Sequence, residues 1–166
     1  MFVLMRAATY ATLFVGLLLV FLPARVLSWS GVVGPARIGV PQMVGVSVGA
    51  AGAALALWCI FTFVFVGRGT PAPFDPPRRL VVRGPYRVVR NPMYIGAGSA
   101  LIGAALFYWS GQLLVYSGLF ILVTHVFVVL YEEPTLRRMF GEEYMEYCRR
   151  VRRWWPRFQR ASREPS

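Results

Sequence analysis

A chain of 166 residues that is 57% hydrophobic, with a mean hydropathy of +0.53, is too apolar for an ordinary soluble domain and short enough to form one domain. Its 18 basic residues are all arginine, and the net charge of +11 implies an anionic partner. The arginines flank apolar stretches, which favours membrane headgroups over nucleic acid, and the 2 cysteines and 1 histidine provide neither a disulfide framework nor a histidine-rich metal site.

Two apolar stretches open the chain. Residues 8–27 provide roughly the 20 apolar residues that a helix needs to cross a hydrocarbon core of about 30 Å. A charged start and small residues after the stretch are also features of a secretory signal, but the next apolar stretch follows closely, so we expect a retained first helix. The second stretch, 40–66, repeats small residues at Gly45, Gly49 and Ala53, a spacing typical of close helix packing.

Two further apolar stretches, 93–109 and 113–131, follow a polar segment. Only Ser110, Gly111 and Gln112 separate them, so they are predicted to form a tight helical hairpin. The sequence therefore predicts about four transmembrane helices, of which the last two form this hairpin.

Arginine counts predict the orientation of these helices. The segment 67–92 carries six arginines and the turn at 110–112 carries none, so the positive-inside bias places that segment and the C-terminal segment 132–166 in the cytoplasm. Arg6 places the N terminus on the same side. An arginine-only composition rich in alanine, glycine and valine suggests a high-GC bacterial genome, and hence a bacterial inner (plasma) membrane.

A cytoplasmic helix is predicted after the last span. Glu133 and Pro134 indicate its start, because proline is favoured at the first helical position and a carboxylate suits the positive end of the helix dipole. Apolar side chains then recur at helical spacing, with an interruption at Gly141. They are Leu136, Met139, Phe140, Tyr144, Tyr147, Cys148 and Val151. With arginines beside it, this stripe is expected to lie on the membrane surface.

The predicted fold is an all-α integral membrane protein with a cytoplasmic C-terminal amphipathic helix, and a single domain over residues 1–166.

The first polar cluster of the chain is segment 83–96, which sets three arginines and two tyrosines against the start of a span. Headgroup contact is favoured for the first two arginines. A binding role is favoured for Arg90, Asn91 and Tyr94, because a proline fixes the helix start, whose free amides can hold a carboxylate.

The second polar cluster is a pair of adjacent acids at the end of the last span. Either they pair with Arg90 or Arg137, with Glu133 also capping a helix, or one of them binds a cationic group of a ligand, for which Glu132 is favoured. His125 lies in an otherwise apolar helix, where an interhelical hydrogen bond is favoured over catalysis.

These clusters predict one pocket at the cytoplasmic membrane surface, without a Ser/His/Asp triad or a set of metal ligands. Such a pocket suits an enzyme that positions its reactants. Methyl transfer from a sulfonium is a reaction of this kind, because the cofactor carries the reactivity and the protein aligns donor and acceptor. Tyrosine faces can stabilise the sulfonium.

The motifs RGPYRVVRNPMYIG (83–96) and YEEPTLRRMFGEEYMEYCRRVRRWWPR (131–157) resemble a family of integral membrane methyltransferases, which includes isoprenylcysteine carboxyl methyltransferases and phospholipid N-methyltransferases. The likeness covers the second half of the chain in the same order and at roughly the same spacing. It implies a multi-span helical fold that binds S-adenosylmethionine in a cytoplasm-facing pocket closed by the C-terminal segment. A lipid-like acceptor would enter from the bilayer.

The resemblance also implies site residues. Arg90 and Glu132 would be catalytic. The cofactor-binding positions would be Tyr86, Arg90, Asn91, Tyr94, Glu132, Glu133 and Tyr144, with no metal. Carboxyl-methylating relatives usually have histidine where this chain has Asn91, and asparagine can hydrogen-bond a carboxylate but cannot titrate near neutral pH. This departure weakens a carboxylate acceptor and leaves the acceptor atom open among nitrogen, oxygen and sulfur.

The leading hypothesis is an S-adenosylmethionine-dependent methyltransferase that acts on a membrane-soluble lipid or isoprenoid-like acceptor, with anionic headgroups as further partners. One alternative is a membrane sterol or enone reductase that uses NADPH. Another is a lipid-binding membrane scaffold whose arginines only contact headgroups. The sequence indicates no nucleic-acid partner and no obligate protein partner.

Overall fold

The computed structural model of the chain describes residues 16–32, 34–35, 37–62, 65 and 80–156, and its regular elements in these ranges are helical. The α-helices are α1 (Leu22–Trp29), α2 (Val40–Thr62), α3 (Pro92–Phe107), α4 (Gly111–Phe127) and α5 (Glu133–Arg150). A π-helical segment, Gly16–Phe21, precedes α1, and a second one, Val128–Glu132, joins α4 to α5. A 3-10 turn, Gly84–Arg87, lies before α3.

Two of these helices are long and apolar enough to cross a membrane. They are Val40–Thr62 and the continuous helix Gly111–Arg150. The helices Gly16–Trp29 and Pro92–Phe107 are apolar but shorter. The prediction of an all-α chain is confirmed for the described residues, whereas residues 8–15 of the first predicted span, residues 67–79 of the predicted loop 67–92 and the tail 157–166 lie outside them.

Helices α2 and α3 pack closely through glycines. A Cβ atom placed on Gly52 would lie 2.6 Å from the backbone nitrogen of Ala100 and 2.6 Å from the carbonyl oxygen of Gly96. The predicted contact of small residues is therefore present, but the third small residue is Gly52 and not Ala53, which is exposed. The reason is helical periodicity, since positions four and seven after Gly45 share its face better than position eight.

The predicted hairpin of α3 and α4 is confirmed, with its turn slightly earlier than expected. Helix α3 ends at Phe107, and Trp109 has a φ of +50°, which reverses the chain. Ser110 is the N-cap of α4, and its Oγ accepts a hydrogen bond from the backbone N–H of Leu113 at 3.3 Å. Gly111 and Gln112 therefore belong to the helix and not to the turn.

The expected separate helix start at Glu133 is wrong. Glu132 has helical backbone angles and makes no side-chain cap, so the chain passes from α4 into α5 without a break. A π-helical segment carries out this passage because it widens the helix and does not end it. The predicted interruption at Gly141 is confirmed, since its φ of +50° kinks α5.

The apolar stripe of α5 packs on the chain itself. Tyr144, Tyr147 and Val151 form a buried cluster with Leu80 and Val82. After α5 the chain continues as an extended strap, Val151–Pro156, in which Arg152 forms an isolated parallel β-bridge with Val89. The strap thereby reaches the segment that leads into α3, and this contact places the strap beside both polar clusters.

Candidate functional site

The two polar clusters predicted from the sequence meet where α3 begins and α4 passes into α5. Tyr94, in the first turn of α3, donates a hydrogen bond from its hydroxyl to Oε2 of Glu132 at 3.1 Å. Tyr86 lies close enough to Glu132 for an electrostatic interaction between them. The Tyr86 hydroxyl is hydrogen-bonded to Cys59 of α2. Tyr147 fixes the backbone of Tyr86, because its hydroxyl donates to the Tyr86 carbonyl at 2.6 Å.

Glu133 is neutralised by two arginines. Arg153 of the strap binds it in a bidentate manner, with Nε 2.7 Å from Oε1 and Nη2 2.8 Å from Oε2. Arg90 Nη1 lies 3.1 Å from Oε1. The expected pairing with Arg90 is thus confirmed, but Glu133 does not cap a helix, and Arg137 acts on it only as a nearby charge. Arg153 is a partner that the sequence analysis missed, because no local pattern links positions 20 residues apart.

The two carboxylates differ in their pKa because their surroundings differ. Burial raises the pKa of Glu132 to about 7, an increase that the hydrogen bond from Tyr94 opposes and the charge of Glu133 reinforces. Burial alone would also raise the pKa of Glu133, but the hydrogen bonds from Arg153 and the charge of Arg90 outweigh it and lower the pKa. Both residues lie beyond the apolar stretch 113–131. Near neutral pH, Glu133 is therefore a fixed anion, whereas Glu132 can gain or lose a proton.

Adjacent residues on a helix point roughly 100° apart, which explains why the two carboxylates have different partners. Glu132 faces α3 and meets Tyr94, while Glu133 faces the strap and the segment before α3. In the described part of the chain, no arginine forms an ion pair with Glu132. The Glu133 carboxylate is therefore held by ion pairs within the chain, whereas the Glu132 carboxylate is available to a cationic group.

Two buried donors at the start of α3 have no hydrogen-bond partner among the described residues. They are Nε of Arg90 and the side-chain nitrogen of Asn91, a residue that is 6% exposed. Asn91 is also the N-cap of α3 but forms no side-chain cap, so the first N–H groups of the helix keep their capacity to bind an anion. Because a buried donor without an acceptor costs free energy, this arrangement points to an anionic group of a ligand.

Tyr144 is buried on the other side of Arg90. It is 2% exposed and hydrogen-bonded to Cys148, which in turn accepts from Nη1 of Arg90 at 2.7 Å. The structure therefore brings Tyr86, Arg90, Asn91, Tyr94 and both glutamates around one centre, and places Tyr144 in a layer behind Arg90. Burial raises the pKa of Tyr144 above its ordinary value, so its hydroxyl stays protonated.

The strap makes one more side-chain contact, with α4. Trp154 donates a hydrogen bond from Nε1 to Nδ1 of His125 at 3.1 Å, while the neighbouring Trp155 is 75% exposed. The interhelical role favoured for His125 is thus replaced by a bond to the strap. Among the described residues, no three His, Cys, Asp or Glu side chains cluster as a metal ion would require.

This geometry agrees with what a comparison with known proteins finds. The profile of the phospholipid methyltransferase family matches residues 40–143, more than half of the chain, while no curated protein and no solved structure matches it. The matched range contains the start of α3 and both glutamates, and it ends before Tyr144 and the strap. The chain therefore belongs to the phospholipid methyltransferase family, and it is a membrane-associated methyltransferase that acts on a lipid-like substrate.

Proposed function

We propose that the chain transfers a methyl group from S-adenosylmethionine to a membrane-soluble acceptor at the cytoplasmic face of the membrane. The observation that carries this proposal is that one site contains both hydrogen-bond donors and a carboxylate that have no partner of opposite charge in the described part of the chain. Among the described residues, Arg90 Nε and the Asn91 side-chain nitrogen are buried donors without an acceptor, and the Glu132 carboxylate has no arginine partner.

A zwitterion satisfies both needs at once. The methionine part of S-adenosylmethionine carries a carboxylate and an ammonium group, and its sulfonium supplies the reactive methyl. In this assignment Arg90 Nε, the Asn91 amide and the N–H groups at the start of α3 bind the carboxylate. Glu132, oriented by Tyr94, binds the ammonium group. Glu133 serves indirectly, because it holds the Arg90 guanidinium in place.

This division of roles also suits the chemistry. Positive charge leaves the sulfur during methyl transfer, so a carboxylate bound directly to the sulfonium would stabilise the reactant more than the transition state. A carboxylate that holds the ammonium group positions the donor without this penalty. Glu132 then acts as a positioning group for the donor and also makes the site favourable for an acceptor that gains positive charge, such as a lipid amine.

Four apolar helices crossing the bilayer would bring this site to the cytoplasmic surface. Helix α3 has 16 residues and a length of about 24 Å, somewhat less than the hydrocarbon thickness. Tyr108 and Trp109 at its end are residues that favour the membrane interface and can compensate for the difference. Exposed arginines at the other end, among them Arg83 and Arg87, support contact with anionic headgroups and a cytoplasmic location in a bacterial inner membrane.

Calorimetry on the detergent-purified protein tests the proposal. S-adenosylmethionine should bind to the native chain, and Glu132→Gln should weaken binding about tenfold, the low end for removing one partner of a charge-assisted contact. Asn91→Asp should weaken it at least as much, because it sets a second carboxylate against that of the ligand. Glu146→Gln, which breaks an exposed pair with Arg150 on α5, is the matched control and should bind as the native chain does.

The alternatives give opposite results in the same experiment. Binding of NADPH in place of S-adenosylmethionine would identify a reductase. Failure of both ligands to bind would leave a lipid-binding scaffold. Transfer of a labelled methyl group to lipid extracts, lost in Glu132→Gln and retained in Glu146→Gln, would then identify the acceptor class.

A further inference from the structure

The strap Val151–Pro156 is fastened to the site along two sides. On one side, the backbone N–H groups of Arg90 and Asn91 donate to the carbonyl oxygens of Arg152 and Arg153, at 2.9 Å and 3.3 Å. On the other side, Arg153 and Trp154 reach the long helix formed by α4 and α5 through their side chains. The strap thus connects the residues before α3 to the helix that carries both glutamates.

Successive side chains of an extended segment point in opposite directions, and the strap uses both directions. Arg153 binds Glu133, and Trp154 binds His125, which lies eight residues or about 12 Å earlier along the helix. The His125 and Trp154 rings are also in contact, with centroids 5.8 Å apart. These two contacts lie at different positions along the helix, so together they fix the position of the strap along it. A single ion pair would not.

The bond between His125 and Trp154 makes the imidazole the acceptor for the indole N–H. Trp Nε1 is only a donor, so Nδ1 of His125 accepts this bond. The helix around His125 is apolar, and few other groups there can satisfy the tryptophan N–H. Loss of the histidine acceptor would therefore favour release of Trp154 from the helix.

We propose that His125 is a positioning residue for the donor site, acting through Trp154 and the strap. By holding Trp154, His125 keeps the strap carbonyls on the N–H groups of Arg90 and Asn91 and keeps Arg153 on Glu133. These contacts fix the backbone of Arg90 and Asn91, whose side chains carry the two buried donors that have no partner in the described part of the chain. The ligand part of this inference rests on the proposed function, whereas the mechanical part concerns the strap alone.

Hydrogen exchange tests the mechanical part without any ligand. In His125→Leu, which lacks an acceptor, and in Trp154→Phe, which lacks the donor, the amides of Arg90 and Asn91 should exchange several-fold faster than in the native protein. His125→Asn, whose side-chain oxygen can take the place of Nδ1, should restore slow exchange. Trp155→Phe, a change at the exposed neighbour, is the matched control. Unchanged exchange in His125→Leu would overturn the proposal.

Binding of S-adenosylmethionine tests the functional part on the same proteins. His125→Leu and Trp154→Phe should each weaken binding by about three- to tenfold, the range for the loss of one hydrogen bond. The double variant should be no worse than either single variant, because both remove one bond. Additive losses, or a His125→Asn protein as weak as His125→Leu, would contradict a role through Trp154.

The two proposals fail in different ways. A native chain that binds no S-adenosylmethionine contradicts the proposed function, while the exchange of the Arg90 and Asn91 amides still decides whether His125 positions the strap. Normal binding by the native chain with fast exchange but unchanged affinity in His125→Leu would overturn the positioning role alone.

Discussion

The acidic residues of this site differ in whether arginines of the same chain neutralise their charge. Glu133 has two arginine partners, so removing either one would leave a buried anion with a single partner and affect the fold as well as the site. Among the described residues, Glu132 is hydrogen-bonded to the hydroxyl of Tyr94 and forms no ion pair, so its carboxylate can be changed with less structural cost and more effect on a ligand. Variants at Glu132 are therefore the informative ones for binding, and variants at Glu133 report on stability.

The raised pKa of Glu132 makes binding of a cationic group depend on pH. The carboxyl is ionised above a pKa of about 7 and protonated below it, so affinity for S-adenosylmethionine should fall as the pH drops from 7.5 to 5.5. The loss should level off at about tenfold well below the pKa, because the protonated carboxyl resembles the side chain of Glu132→Gln. Its neighbours Tyr86 and Glu133 do not change charge in this range, because burial raises the pKa of Tyr86 and the contacts with Arg153 and Arg90 lower the pKa of Glu133.

Calorimetry at each pH, on the native chain and on Glu132→Gln, measures this effect. The variant should bind weakly with a flatter pH profile, and the difference between the two profiles removes any titration of the ligand itself. Parallel profiles would show that another group controls the pH dependence.

At the scale of helices, the position of α3 is set by its contact with α2. Gly52 touches the backbone of α3 near Gly96 and Ala100, less than two turns from Tyr94, so the packing of two apolar helices also positions a polar site. A side chain at Gly52 has no flexible neighbour to displace, because the nearest atoms are two backbone atoms of α3 and the Cβ of Ser99. The two helices must separate to accommodate it.

Gly52→Val should therefore lower both the stability of the protein and its affinity for the donor, whereas Ala53→Val should do neither. Overpacking costs about 1–3 kcal/mol, and the exposed Ala53 places the same side chain on the outer face of α2. Thermal unfolding in detergent, followed by circular dichroism, gives the stability change, and calorimetry gives the affinity. Equal effects of the two variants would show that α2 and α3 do not depend on this contact.

At the scale of the whole molecule, apolar runs were sufficient to predict an all-helical chain and the hairpin, and motif residues were sufficient to predict which polar side chains the structure brings together. Arg90, Asn91, Tyr94 and Glu132 could be named because each lies next to a recognisable helix start or span end. The strap could not be predicted, because the approach of Arg153 to Glu133 depends on how α5 kinks and returns. The π-helical passage at Val128–Glu132 was equally hidden, since its composition does not differ from that of an α-helix.

The orientation of the molecule can be tested at the turn between α3 and α4. If α3 crosses the membrane, Trp109, which is 71% exposed in that turn, lies outside the cytoplasm, and the exposed Glu146 on α5 lies within it. A membrane-impermeant maleimide added to intact cells should therefore label Trp109→Cys. It should label Glu146→Cys only after the membrane is opened.

The native chain, without an introduced cysteine, provides the control for this labelling. Its Cys59 is buried, and its Cys148 lies on α5 behind Arg90, so intact cells that carry the native chain should remain unlabelled. Labelling of Glu146→Cys in intact cells would show that α5 lies outside the cytoplasm, the opposite of the predicted orientation. Labelling of both variants only after opening would mean that the 16 residues of α3 do not cross the membrane, and the donor site would then have to be reached from a hairpin inserted from one side.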